Sequence, residues 1–323
     1  MSLYPLKFIP ILKERIWGGN RLKTLLSKTD AYEGIGESWE ISAVDGSVSV
    51  VANGPYKDIL LTDLIANYSS DLLGHKVVRD FGLQFPILIK FLDAASNLSI
   101  QVHPNDQLAK ERHNSLGKNE MWYVMDATPE ASLIVGFTPG MTQEKYQECV
   151  TNGTIEGVME KHPVSSGDAF FIEAGTVHAI GAGILLAEIQ QTSDVTYRVY
   201  DFNRKDAQGN FRELHTELAV DAINFRAVSQ EKCVYTSQSN TPNEIIATPY
   251  FTTNYLPVQG EYYTNKVSQD SFKVYICVQG SGKIQNSHGE IDFQYGETVL
   301  IPANSEYVKI ISSQDCVLLV VHY

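Results

Sequence analysis

The sequence predicts a mainly β protein made of two copies of one antiparallel unit, with helical segments mostly in the first. Three observations carry this. Short apolar runs recur between Gly, Pro, Asn and Asp turns at 39–42, 85–92, 98–102, 121–125, 132–137, 169–172, 273–278, 297–301 and 317–322, the spacing of a sandwich or barrel. A glycine–acid–apolar–turn pattern occurs twice. A polar stretch at 229–242, rich in Ser, Thr, Asn and Gln, separates the two copies. A chain of 323 residues is long enough for about two domains. The expected division is 1–227 and 228–323.

The helical segments are read from caps and periodicity. Residues 61–74 offer Thr62 as a cap, put Leu64, Ile65, Leu72 and Leu73 roughly on one face, and stop at Gly74. Residues 106–114 form a short polar helix. Residues 142–150 start with a Thr cap and Glu144, and 154–161 continue helical, so the first unit carries helices near 105–115 and 141–162. Residues 216–225 close that unit.

Composition narrows the function. Lys+Arg number 25 against 38 Asp+Glu, a net charge of −13, which argues against nucleic acid or an anionic membrane as partner. A small anionic substrate is not excluded, since a site needs only a few local cations. Cys149, Cys233, Cys277 and Cys316 are scattered, with neither a disulfide framework nor a thiolate zinc spacing. No secretory h-region and no run of 18 apolar residues occurs, so a cytoplasmic location is expected.

The repeat pairs Gly167-Asp168 with Gly296-Glu297. Each is followed by apolar residues through Ile172 or Ile301, then a turn, and then a ring residue eleven positions after the glycine, His178 or Tyr307. This pattern resembles the second motif of the cupin superfamily, Gly-x5-Pro-x-Gly-x2-His. The first copy has Glu173 for the proline but keeps Gly175 and His178. The second keeps Pro302 but has Asn304 for the glycine and Tyr307 for the histidine. The resemblance implies two cupin-type jelly-roll β-barrel domains, with a small helical insertion in the first and the second barrel degenerate.

A metal constellation surrounds the first copy. Along 98–103 as a strand, Ser99, Gln101 and His103 share one face and Leu98, Ile100 and Val102 the other. Such a polar face would meet water in an open sheet; inside a barrel, a Gln and a His two apart can clasp one ion. Lys118 and Glu120 also share a face. Gln101, His103, Glu120 and His178 together suit Zn²⁺ or non-haem Fe(II), and the donor types alone do not choose. His75, His113, His162, His215, His288 and His322 fall in turns, helix edges or the terminus, where solvated or capping roles are expected.

The ordered set Gln101–Asp106, Gly117–Trp122, Gly175–Ala179, Glu188 and Thr192–Arg198, with Trp17-Gly18-Gly19, Gly36–Glu40 and Pro86–Leu92, resembles the type I mannose-6-phosphate isomerase family. That resemblance implies interconversion of mannose 6-phosphate and fructose 6-phosphate by a zinc enzyme, one Zn²⁺ per chain, with Gln101, His103, Glu120 and His178 as ligands. It implies Arg198, Glu188 and Lys118 as catalytic residues. Ser99, Lys118, Arg198, Arg204 and Lys90 are the candidates for binding the hexose phosphate. Two positions depart from the family: Ile180 replaces a Tyr that lines the sugar pocket in some members, and Arg204 replaces a Lys of longer members, keeping charge but changing donor geometry. Two other readings share parts of this set: an Fe(II) cupin dioxygenase, which has no need of Lys118 and Arg198, and a non-catalytic sugar-phosphate-binding cupin.

Overall fold

The computed structural model describes residues 2–28, 30–205, 209–226, 232–265, 270–312 and 314–323. Alternation along each strand sorts side chains onto two faces, and four larger antiparallel sheets result, beside a two-stranded ribbon of Ala43–Val44 and Ser47–Val48. Sheet I runs Ile11–Gly19, Ile35–Ile41, Ile87–Ala94, Ile184–Gln191, Glu120–Ala127, Ala169–Ile172 in spatial order. Sheet II runs Tyr197–Tyr200, Ile100–Val102, His178–Ile180, Ser132–Phe137, Met159–Pro163. Sheet III holds Asn243–Ala247, Thr252–Val258, Cys316–His322, Lys273–Gln279 and Thr298–Ile301. Sheet IV holds Glu261–Thr264, Val308–Ser312, Ser281–Asn286 and Gly289–Gln294. These are the two jelly rolls expected, each a pair of open sheets rather than a closed barrel.

The layers stack through separate cores. Leu92, Trp122, Phe170 and Leu186 of sheet I meet Leu133, Val135 and Ile180 of sheet II. The other face of sheet I, with Phe91, Met121, Tyr123 and Ile189, packs with Phe272, Ile276, Leu300 and Leu319. Cys277, Leu318, Ile284 and Phe293 fill the space between sheets III and IV. Outside sheet II, Ile100 and Val102 are covered by Tyr146, Ala219 and Ile223, residues of helices Gln143–Asn152 and Thr216–Ala222 and of the chain just after the latter.

Several expectations are corrected. The helix at 61–74 breaks at Ser69, φ 42°, into Leu61–Tyr68 and Ser70–Leu73. Gly74 does end it, at φ +98°, but a third helix, His75–Phe81, follows. A Cβ on Gly74 would stand 2.3 Å from the backbone of Asp270, so this turn packs closely on the chain that leads into the second jelly roll. Thr142 caps its helix by accepting from Lys145 N. The helix expected at 154–161 is a short 3₁₀ turn, Ile155–Val158, and then the strand Met159–Pro163, because pairing with Ser132–Phe137 outweighs local preference. Tyr307 does not take the inward place of His178. It stacks on Tyr263 (5.7 Å between centroids), and its neighbour Val308 fills the interior instead, a shift of one residue that reverses faces. The expected boundary at 227/228 lies outside the described residues.

Gly18 sits where the first two strands cross: a Cβ there would be 2.4 Å from Gly34 O and 2.5 Å from Gly36 N, both backbone. Gly18→Ala is expected to cost roughly 1–3 kcal/mol. The reading is a lower denaturant midpoint at unchanged m-value, against Gly157→Ala as control, where nothing lies within 4 Å.

Candidate active site

The space between sheets I and II is apolar at one end and charged at the other. On sheet II, Arg198, Gln101 and His178 are directly paired across three strands, so they form one inward row. On sheet I, Lys90, Glu188 and Trp122 form a second row, and Gln190 pairs with Glu120 beside it.

The two rows bring together His103, Glu120 and His178, whose donor atoms all lie within 4.8 Å of one another. The histidine Nδ1 atoms lie 2.9 Å from Val195 O and 2.8 Å from Thr176 O. A carbonyl only accepts, so each Nδ1 carries the proton and each Nε2 turns a lone pair inward. Burial pulls the His103 pKa well below its usual value, and the charges of Lys118 and His178 add to this. Burial likewise pulls His178 down to about 4. Both rings are therefore neutral at neutral pH.

Glu120 is fully buried between them, Oε1 3.4 Å from His103 Nε2 and Oε2 3.6 Å from His178 Nε2. Neither oxygen completes a hydrogen bond among the described residues. The carboxylate charge is met by the Lys118 ammonium, 2.6 Å from Oε1 and 3.0 Å from His103 Nε2. A buried carboxylate with unfilled lone pairs, facing two imidazole lone pairs, is costly unless positive charge joins it. The donors therefore fit a divalent cation. Gln101 Nε2 lies 3.3 Å from His178 Nε2; a half-turn of the amide presents its oxygen to the same place.

Beside this cluster, Lys90 Nζ donates to Glu188 Oε1 (2.8 Å) and Gln190 Oε1 (2.6 Å). Trp122 Nε1 donates to Glu188 Oε2 at 3.1 Å, and its ring meets His178 edge-on at 5.3 Å. Trp122 thus touches both the donor cluster and Glu188. Glu37, also buried, accepts from Trp39 Nε1 (2.6 Å) and Arg15 Nε (2.7 Å). Burial pushes its carboxyl up, but Lys90 and Arg15 outweigh that and hold it below the usual range. Neither Trp122 nor Glu37 stands out as a site residue in the sequence. The signal that does exist is position: each belongs to a polar or aromatic i, i+2 pair, Glu120/Trp122 and Glu37/Trp39, on one face of its strand.

The other expected substrate groups stand further off. Arg198 Nη1 donates to Glu213 O at 2.7 Å, while its Nε is buried without a partner among the described residues. Burial and the charge of Arg212 pull its pKa down. Arg204 pairs with Asp201 and donates to Asn97 O, and Arg212 Nη1 lies 3.3 Å from the same Asp201. Ser99 is buried, and no hydrogen bond ties it to the donor cluster. Ile180 lies in the apolar core. Of the remaining histidines, His113 is exposed at a helix end, as expected, with Nε2 2.8 Å from Tyr197 OH; His215 Nδ1 accepts from Arg198 N at 3.1 Å, and His322 is half-buried, which lowers its pKa.

Comparisons with known proteins agree with this geometry. A model of the phosphomannose isomerase type I catalytic domain matches residues 6–148, and one of the mannose-6-phosphate isomerase cupin domain matches residues 242–323. A mannose-6-phosphate isomerase of Bacillus subtilis is 34% identical over 98% of this chain and 99% of its own length. The chain belongs to the type I phosphomannose isomerase family. One from Streptococcus mutans is 36% identical over 90% of both chains. The crystal structure of a Bacillus subtilis mannose 6-phosphate isomerase superposes with a TM-score of 0.89 at 32% identity, covering 99% of this chain and 100% of that one. Members of this family are metal-dependent isomerases, and His103, Glu120 and His178 are the residues here that could hold the ion. No helix among the described residues is long and apolar enough to cross a membrane.

The neutral, buried His178 has a pH consequence. Its folded pKa, about 4, lies below the unfolded value of about 6.5. Stability is therefore present above the unfolded value and falls as pH drops between the two, because the unfolded chain takes up a proton that the folded one refuses. The chelated protein should show a lower urea midpoint at about pH 5 than at about pH 7.5. His178→Gln should lose less over the same interval; equal losses in both would contradict the assignment.

Proposed function

We propose that the chain interconverts mannose 6-phosphate and fructose 6-phosphate through an enediol, with one Zn²⁺ held by Gln101, His103, Glu120 and His178. The observation that carries this reading is the sharing of Trp122. One indole packs on a metal-type histidine and donates to Glu188, so a donor set and a candidate proton-transfer carboxylate stand side by side between sheets I and II. The near-full-length likeness to mannose-6-phosphate isomerases supports the substrate.

When bound, the ion supplies Lewis-acid stabilisation of negative charge developing on the substrate's O1 and O2. The rest falls to side chains. Glu188 moves the proton between C1 and C2, a role for which a positioned carboxylate contributes about 10²–10⁴-fold. Lys118, already beside the cavity's anion, donates to a substrate oxygen. Arg198 has an unfilled buried Nε and offers its fork to the enediolate or the phosphate. Arg204 and Ser99 complete the substrate contacts. Sheets I and II bury Lys118, Glu120 and Glu188 away from water, which strengthens the charges they carry.

No observation favours the iron dioxygenase or the purely binding reading over the isomerase. We assign the catalytic unit to residues 1–227 and its support to 228–323. A cytoplasmic location is consistent with four unpaired cysteines.

The deciding experiment is turnover of mannose 6-phosphate on protein as purified, after chelation, and after zinc is returned. Loss on chelation and recovery with zinc support both reaction and metal; no turnover in zinc-loaded protein overturns the reading. His178→Ala should lose metal and activity together. Arg198→Ala should keep its metal by elemental analysis yet lose about 10²-fold or more in kcat.

A further inference from the structure

We propose that Lys90 is a positioning residue that fixes the Glu188 carboxylate, rather than a contact for the substrate phosphate. The inference rests on the reading of Glu188 as the proton-transfer group. The inner face of sheet I carries charges of alternating sign on four successive strands, Arg15, Glu37, Lys90 and Glu188, with Lys90 directly opposite Trp39 on one side and Glu188 on the other. Arg15 Nε meets Glu37 Oε1 at 2.7 Å, and Lys90 Nζ meets Glu188 Oε1 at 2.8 Å.

Glu188 is gripped from both sides. Lys90 and Trp122 are its direct cross-strand partners, and they take one carboxylate oxygen each. Two donors on opposite flanking strands set both the position and the plane of the carboxylate. Lys90 in turn has little left to offer a ligand. Two of its three N–H donors serve Glu188 and Gln190, the Trp39 ring lies 5.2 Å from Nζ, and the side chain is 8% exposed. Burial works against its charge, but Glu188 and Glu37 outweigh that and keep the ammonium protonated. A buried lysine costs several kcal/mol unless paired this closely.

The test uses the full zinc-loaded chain with Lys90→Met, Glu188→Gln and the double variant. Lys90→Met should lower kcat about 10–100-fold, the scale of a small misplacement of a reacting group. It should leave KM and the inhibition constant for inorganic phosphate within about twofold, and raise the primary isotope effect on kcat for substrate deuterated at C2. In the Glu188→Gln background the same substitution should change kcat no further, the non-additivity of residues acting as one unit. A tenfold rise in KM or in the phosphate inhibition constant at intact kcat would make Lys90 a phosphate contact and overturn the proposal. So would additive losses in the double variant. If Lys90→Met does not fold, the double variant removes both charges at once, and its kcat against that of Glu188→Gln alone decides: equal values support positioning, a further tenfold loss refutes it. Wild-type activity in Glu188→Gln would instead refute the role given to Glu188, a separate outcome.

Discussion

A carboxylate with no access to water sets the terms for this molecule. Glu120 lies fully buried between two imidazoles, and neither of its oxygens is satisfied by hydrogen bonding among the described residues. An ion so placed costs several kcal/mol unless opposite charge stands close by. The surroundings are arranged around that demand. Carbonyls of Val195 and Thr176 take the Nδ1 protons of the two histidines, so that lone pairs and not protons face the carboxylate. Lys118 brings positive charge to within ion-pair distance. The same demand is what makes the place receptive to a divalent cation.

Sheet I carries the burden on both its faces. One face holds Lys90, Glu120, Trp122 and Glu188; the other holds Phe91, Met121, Tyr123 and Ile189, pressed against residues of sheet III. Close-packed apolar contacts resist displacement, so the charged groups on the inner face hang from a backbone anchored on its outer face. This gives the second jelly roll a physical part in the site although it contributes no ligand. Its own interior is filled by Cys277, Phe293, Val308 and Leu318, leaving it a packed block rather than a second pocket. Buried charge gathers between sheets I and II at Glu37, Lys90, Lys118, Glu120 and Glu188, while Lys28, Glu40 and Asp93 are buried elsewhere in ion pairs of their own.

The four metal-type residues are legible in the amino-acid sequence because their signals are local. Gln101 and His103 follow the period of two, and His178 follows a turn pattern. Partners across strands leave no such trace. Lys90 reads as a candidate phosphate contact in the sequence because its strand offers no hint that Glu188, 98 residues away, lies directly opposite. Ile184–Gln191, the strand that carries Glu188, escapes a reading by periodicity because it is buried along its whole length and shows no alternation. Tyr307 matches His178 in sequence spacing, yet a one-residue shift in register turns it to the surface.

The sequence by itself determined the fold class, the repeat, the family and the candidate donor residues, since these depend on residue types at short fixed spacings. The tertiary structure alone decided which charges neutralise which: Lys118 with Glu120, Lys90 with Glu188, Arg204 and Arg212 with Asp201. Electrostatic energy depends on distance through space and on exclusion of water. Strand order and register set both, and no local pattern in the chain records them.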